Sequence, residues 1–127
     1  MAIIEKPVEY FDQDKKCIGY MVYDDALSGK KPCVLINHAW SGLDQFSKNK
    51  ALEIANKGYI GFCLDNYGNG YEPAALDDKQ NTMLPLKEDR AKLLKRLLAG
   101  LEKAKNFDIV DKKNIATLGF CFGGLCA

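Results

Sequence analysis

The sequence lacks the features of several protein classes. It has one histidine, no apolar run near the ~20 residues of a membrane helix, and no basic segment at its start. Its 18 basic and 17 acidic residues give a net charge of +1, so neither nucleic acid nor an acidic membrane is expected as a partner. No metal site is expected, because no second histidine or cysteine lies at ligand spacing. The 127 residues are enough for one globular domain.

The cysteines also argue against a disulfide-bonded protein. There are five of them, an odd number, and none forms a C-x-x-C pair. Cys17, Cys33 and Cys63 lie in strand-like runs, where cysteine behaves as a small apolar residue. Cys126 fits a small core position better than a second reactive thiol. This usage predicts buried free thiols in a reducing compartment, and therefore a cytoplasmic protein.

The order of apolar patterns predicts an α/β fold. Two β-rich runs at residues 8–11 and 17–23 flank a five-residue polar turn and indicate an antiparallel hairpin. The apolar runs at residues 33–37, 59–64 and 115–118 are typical of strands that are covered on both faces. The sequence therefore predicts a hairpin followed by a parallel sheet.

Helical patterns lie between the parallel strands. Residues 44–57 are predicted to form a helix, with Asp44 as its N-cap and Gly58 just after its end. After a loop that reaches about residue 82, one long helix is predicted from Pro85, in the first turn, to Lys105. The β-α-β-α-β order with right-handed crossovers places helices on both faces of the sheet.

The last strand runs into the sequence GFCFGG at residues 119–124. A glycine two positions on either side of Cys121 lets the backbone turn sharply from a strand into a helix. This is the nucleophile-elbow pattern, with cysteine where serine is commoner. Cys121 is therefore the candidate nucleophile, at a helix N-terminus that favours a thiolate. The structural alternative is a glycine-rich turn that only packs a helix on a sheet.

Three strand ends are polar or glycine-rich: residues 38–42, residues 65–70 and the elbow. Ligands bind beyond the carboxyl ends of parallel strands, so we expect the three segments to meet at one crevice. His38 is interpreted as a hydrogen-bond donor that shapes its loop, with a general base or a part in substrate binding as the alternatives. Asp65 and Asn66 are expected to shape their turn through bonds from side chain to backbone.

These motifs together resemble the dienelactone hydrolase family of the α/β-hydrolase superfamily. The residues that carry the likeness, which extends from Val8 onward, are NHAWSG at 37–42, GYIGFCLDNYGNG at 58–70, EDR at 88–90 and GFCFGG at 119–124. The resemblance implies a hydrolase that opens small esters or lactones through a Cys-Asp-His triad and a thioester, without a cofactor. It implies Cys121 as the nucleophile, with the backbone N–H groups of Trp40 and Phe122 as the oxyanion hole. It also implies that Arg90 binds a substrate carboxylate, although a solvated arginine is the alternative.

The sequence departs from this family at three points. The acid and the histidine of the triad follow the nucleophile in chain order, but only six residues follow Cys121. His38 lies in the oxyanion loop, and Ala39 stands where several members carry an acidic residue that helps to activate the thiol.

We therefore expect residues 1–127 to form one incomplete α/β-hydrolase domain, its N-terminal half, which is inactive alone. It would pair with the missing C-terminal half or associate with itself through an exposed sheet edge. The alternatives are a non-catalytic truncated or complementing fragment, and a thiol-based sensor or binding module that uses Cys121.

Overall fold

The computed structural model describes residues 2–127. Its strands are β1 (Ile3–Asp12), β2 (Lys15–Asp24), β3 (Lys31–Asn37), β4 (Ile60–Leu64) and β5 (Val110–Gly119). Its helices are α1 (Gln45–Asn56), α2 (Leu76–Glu88), α3 (Arg90–Lys105) and α4 (Phe122–Cys126). Within this range, no helix has the length and apolar character needed to cross a membrane.

The five strands form one sheet in the order β1-β2-β4-β3-β5. β1 and β2 make an antiparallel hairpin, β2 pairs antiparallel with β4, and β3 runs parallel to both β4 and β5. The predicted hairpin followed by a parallel sheet is confirmed. The hairpin turn contains only Gln13 and Asp14, and Gln13 adopts the left-handed conformation with a φ of 55°.

Helices cover both faces of the sheet, because alternate side chains of each strand point to opposite sides. On one face the core comprises residues of the hairpin, β3, β4 and α3, with Leu35, Phe62 and Leu64 among them. On the other face Ile36 and Cys63 pack with α1. The predicted caps of α1 are present: the Asp44 carboxylate accepts the N–H of Ser47, and Gly58 follows the helix with a φ of 91°.

The single long helix predicted from Pro85 is wrong, because α2 and α3 are separate helices. α2 begins at Leu76, so the predicted loop to residue 82 is also wrong, and Pro85 lies inside α2. The break is at Asp89, whose N–H donates to the carbonyl of Pro85 and whose carboxylate accepts the N–H of Lys92 at 3.1 Å. One aspartate thus ends α2 and caps α3.

One face of α3 is buried, and it carries a charged residue. The buried residues of this helix are Leu93, Arg96, Gly100 and Ala104. Arg96 Nε donates to Asp12 Oδ2 at 2.7 Å, and its Nη1 donates to the carbonyl of Asn66 at 2.9 Å. The Arg96 and Asp12 side chains are only 6% and 12% exposed. Arg96 therefore joins α3 to the hairpin and to the loop after β4.

We expect the Arg96→Ala variant to lose about 3–5 kcal/mol of unfolding free energy, because Asp12 would remain as a largely buried carboxylate without its cation. Urea denaturation at pH 7 measures this loss. Lys95→Ala is the matched control, since Lys95 is exposed on the same helix and should change stability little. Equal losses in the two variants would show that the ion pair does not stabilise the fold.

Candidate active site

Cys121 lies at the turn between β5 and α4. Its backbone has a φ of 56° and a ψ of −117°, a conformation that residues with a side chain rarely adopt. The side chain is exposed at the carboxyl end of the sheet. A strained residue between a strand and a helix is the geometry of a nucleophile elbow.

The glycines of the elbow are required by close backbone contacts. A Cβ atom on Gly119 would collide with the carbonyl oxygen of Gly123, and a Cβ atom on Gly123 would collide with the carbonyl oxygen of Asn37. These obstacles are backbone atoms of packed elements, so they cannot move aside as a flexible side chain could. The first turn of α4 therefore packs directly against the end of β3.

Cys121 is the one exposed thiol in the part of the chain that the structure describes. Burial raises the pKa of Cys17 to about 11 and the pKa values of Cys33, Cys63 and Cys126 to about 12. These four side chains are buried and free of disulfides, which agrees with the interpretation of the sequence. At neutral pH they are protonated and inaccessible, so nucleophilic chemistry of a thiol can take place only at Cys121.

The loop that contains Trp40 begins beside the elbow, because Asn37 pairs with Gly119 in the register of β3 and β5. Among residues 2–127, neither the N–H of Trp40 nor the N–H of Phe122 has a hydrogen-bond acceptor. Both N–H groups are therefore free of protein acceptors within this range. The Trp40 side chain is 37% exposed at the same end of the sheet.

His38 is buried, with 1% of its surface exposed. Its Nδ1 lies 2.6 Å from the carbonyl oxygen of Ala39, and its Nε2 lies 3.0 Å from the backbone nitrogen of Asn66. Because a carbonyl only accepts and an amide N–H only donates, these partners assign the proton to Nδ1. Both ring nitrogens are therefore engaged within the protein, and these bonds join the start of the loop to Asn66. A role for His38 in substrate binding stays a prediction.

Arg90 is the first residue of α3 and is exposed. Its Nε donates to the carbonyl of Lys87 at 3.1 Å, across the junction of α2 and α3. Within the described residues it makes no hydrogen bond to the elbow or to the Trp40 loop. A role for Arg90 in substrate binding stays a prediction.

A buried polar network connects the ends of β3, β4 and β5. Asn37 Nδ2 donates to Thr117 Oγ1 at 2.8 Å and to the carbonyl of Leu118 at 3.1 Å. Its Oδ1 accepts from Asn66 Nδ2 at 3.1 Å. Asn66 Oδ1 is buried without a donor in the described part of the chain.

Asp65 holds the loop after β4, as the sequence predicts. Its carboxylate accepts three backbone N–H groups at 2.8–2.9 Å, from Ile18, Gly68 and Gly70. Three donors to one carboxylate fix the loop against β2. The position of the following residues, Asn66 and Tyr67, is thereby set.

Tyr67 connects the loop after β4 to the Trp40 loop and to Phe122. Its hydroxyl donates to the carbonyl of Trp40 at 2.6 Å, and its ring stacks on Phe122 with centroids 6.0 Å apart. Burial raises the pKa of Tyr67, so the hydroxyl keeps its proton at neutral pH. Leu86, Leu93 and Cys126 complete the apolar cluster beneath the elbow.

No functional role was predicted from the sequence for Asn37, Tyr67 or Arg96. The sequence does contain a local pattern that points to Arg96 and to Asn37. Arg96 lies three residues after Leu93 and four before Gly100, so it shares the apolar face of its helix. Asn37 is the one polar residue that ends a buried strand next to the loop. No local pattern points to Tyr67, because its partners lie in other segments of the chain.

This chain is similar to known proteins in sequence. The model described as the dienelactone hydrolase family matches residues 18–127. A curated protein of Bradyrhizobium sp, described as a probable 2-oxo-3-(5-oxofuran-2-ylidene)propanoate lactonase, is 25% identical over 101 residues, which are 80% of this chain and 41% of that protein.

Two solved structures resemble the whole chain. The structure named m3DLH is 28% identical, with a TM-score of 0.96, and the alignment covers 100% of this chain and 53% of that one. A dienelactone hydrolase-like promiscuous phosphotriesterase from metagenomic libraries is 28% identical, with a TM-score of 0.94 and coverages of 99% and 52%. The chain thus spans about half the length of the proteins it matches.

The buried neutral imidazole of His38 predicts a loss of stability as the pH falls. Burial lowers the pKa of His38 below its usual 6.5, and the nearby Asp65 and Asp44 carboxylates only partly oppose this effect. Below about pH 6.5 the unfolded chain binds a proton that the folded chain does not, so the unfolding free energy falls by at most about 1.4 kcal/mol per pH unit.

The His38→Gln variant lacks this proton-binding group, and no other histidine is present. The stability advantage of the wild type over the variant should therefore shrink between pH 7.5 and pH 5.5. Urea denaturation of both proteins at the two pH values measures it. An advantage that does not change with pH would contradict a neutral buried imidazole.

Proposed function

This chain belongs to the dienelactone hydrolase family, and we propose that it carries the nucleophilic part of the active site of a hydrolase for small esters or lactones. The observation that carries the proposal is Cys121, the exposed thiol held in a strained conformation between glycines that pack against β3. Three features support it. They are the exposed thiol, the N–H groups of Trp40 and Phe122, which have no acceptor among the described residues, and relatives described as a lactonase and as a dienelactone hydrolase-like enzyme.

In the proposed reaction the sulfur of Cys121 attacks the carbonyl carbon of the substrate. Its thiol proton goes to the leaving alkoxide. The carbonyl oxygen becomes an oxyanion, which the N–H groups of Trp40 and Phe122 stabilise. Collapse of this intermediate breaks the C–O bond and leaves a thioester on Cys121. Water then attacks the thioester, releases the carboxylic acid and returns a proton to the sulfur.

The described residues do not provide a base for the water step. The chain has one histidine, His38, and both of its ring nitrogens are bonded within the protein. In this superfamily the acid and the histidine follow the nucleophile. We therefore assign both to the part of the longer relatives that this chain does not span. Residues 1–127 alone would be acylated at Cys121 without turning over.

The proposal includes a reducing, cytoplasmic location, since a free thiol nucleophile persists there. If the substrate carries a carboxylate, Arg90 is the residue proposed to bind it. These points rest on the family resemblance.

We expect 4-nitrophenyl acetate to acylate residues 1–127 at Cys121 in a single stoichiometric burst. The colour of released nitrophenolate gives the amplitude, and intact mass with peptide mapping locates the acetyl group. Cys121→Ala should abolish the burst. Cys126→Ala is the matched control and should retain it, because Cys126 is buried.

Three results would contradict the proposal. Sustained turnover by residues 1–127 would mean that a base is present within them. No acylation, with iodoacetamide still alkylating Cys121 ahead of the four buried thiols, would remove the acyl-transfer role. Formation of a reversible mixed disulfide with glutathione in place of acylation would favour a thiol-based sensor.

We also propose that the outer edge of β5 receives the remaining part of the domain. β5 pairs with β3 on one side, and no described strand pairs with its other side. Most of its side chains are exposed or partly exposed, whereas every residue of β4 is buried. Parallel strands are normally covered on both faces.

A cavity beside β5 supports this proposal. Its volume is about 420 Å³, and its apolar lining includes Leu97, Leu101, Ile115 and Cys126. Leu97 and Leu101 of α3 pack against the core and are only partly buried at this cavity. A helix from the missing part would cover them.

Residues 1–127 alone should therefore self-associate through β5, since the unpaired part of this strand at residues 115–119 has no charge and no proline and pairs readily. Size-exclusion chromatography with light scattering measures the mass. Ala116→Lys, on the exposed part of β5, should shift the protein toward the monomer. Phe11→Lys is the matched control on β1 at the opposite edge, where Phe11 is 59% exposed. A monomeric wild type, or equal dissociation by both variants, would contradict the assignment of the edge.

A further inference from the structure

We propose that His38 and Tyr67 are positioning residues that fix the direction of the Trp40 N–H in the oxyanion hole. The inference rests on the proposed function, because it concerns the acyl-transfer step. It uses contacts that lie entirely within the described residues, and the His38 and Tyr67 side chains that make them are buried. In the proposed reaction the buried His38 takes no direct part, and its role is to position the Trp40 N–H.

The first step concerns the peptide between Ala39 and Trp40. This peptide is trans, so its carbonyl and its N–H point in opposite directions. The Ala39 carbonyl accepts from His38 Nδ1 at 2.6 Å and from the N–H of Gly42 at 3.2 Å. The carbonyl therefore points toward the buried imidazole, and the Trp40 N–H points away from it.

The second step is that the imidazole itself is held in place. Its Nε2 accepts the N–H of Asn66 at 3.0 Å, so the ring cannot flip without losing both hydrogen bonds. The rings of Tyr67 and Phe122 pack against it, with centroid distances of 4.7 and 6.2 Å. Arg96 anchors Asn66 in turn, through its carbonyl. The direction of the Trp40 N–H is thus linked to the core of the molecule.

The third step concerns the next peptide along the chain. The Tyr67 hydroxyl donates to the carbonyl of Trp40 at 2.6 Å, which fixes the peptide between Trp40 and Ser41. Both peptides that flank Trp40 are therefore held by buried side chains. The Tyr67 ring also stacks on Phe122, the residue that supplies the second donor. Tyr67 thus keeps the two halves of the oxyanion hole together.

The chemical consequence can be separated from the reactivity of the thiol. Acyl transfer develops an oxyanion, and loss of one correctly directed donor slows such a step by about 10²–10³-fold. Alkylation by iodoacetamide is a displacement at a saturated carbon and develops no oxyanion. The ratio of acylation rate to alkylation rate at Cys121 therefore reports on the oxyanion hole alone.

Two variants separate the two hydrogen bonds that the His38 ring makes. In His38→Asn the side-chain amide reaches the position of Nδ1 and can still donate to Ala39. In His38→Gln the amide reaches the position of Nε2 and can still accept from Asn66, but the donor to Ala39 is lost. Both variants lose the ring, so a purely structural role predicts similar effects.

The experiment measures acylation of Cys121 by 4-nitrophenyl acetate and alkylation by iodoacetamide in the whole protein, with thermal unfolding as a check on folding. We expect His38→Gln to lower the acylation-to-alkylation ratio by about 10²-fold, and His38→Asn to keep most of it. Tyr67→Phe removes only one hydroxyl and should lower the same ratio. It keeps the proposal testable if the His38 variants fail to fold.

The inference is overturned if the two His38 variants give the same ratio, or if the ratio in Tyr67→Phe equals that of the wild type. A wild type that is alkylated but never acylated overturns the proposed function itself, and the inference with it. A normal burst in the wild type with unchanged ratios in the variants overturns the inference alone.

Discussion

The direct backbone contact between the elbow and the end of β3 is the constraint on which the rest of the site depends. Gly119 and Gly123 permit it, because a Cβ atom at either position would collide with a carbonyl group. The contact brings the first turn of α4 beside the loop that carries Trp40. It also forces Cys121 into a left-handed conformation with a φ of 56°. Strain at one residue is tolerated because packed elements surround it.

Polar side chains then connect the ends of neighbouring strands. Asn37 and Asn66 bond to each other, and each also bonds to a neighbouring strand or loop. A network of this kind is stabilising only when nearly all of its members are paired. Its link to Arg96 and Asp12 connects the hairpin turn to the loop after β4, which bonds to His38. A contact remote from Cys121 can therefore affect the position of the Trp40 N–H.

Local sequence patterns predicted some features of the fold and missed others. The caps at Asp44 and Gly58, the hairpin and the elbow follow from steric and hydrogen-bonding preferences within a few residues, and the structure contains all of them. The break at Asp89 was not predicted, because leucines continue at helical spacing on both sides of it. Spacing reports which face of a helix is apolar, and it does not report a cap that interrupts the backbone ladder.

The α/β order and the strained turn at Cys121 follow from patterns of neighbouring residues, and the sequence predicted both. The folded core, by contrast, sets the bonding of both nitrogens of the neutral His38 ring and the pairing of Arg96 with Asp12. The last two partners lie 84 residues apart. Such pairings form only when the packed core brings distant segments together and removes water from between them, and no local pattern encodes that geometry.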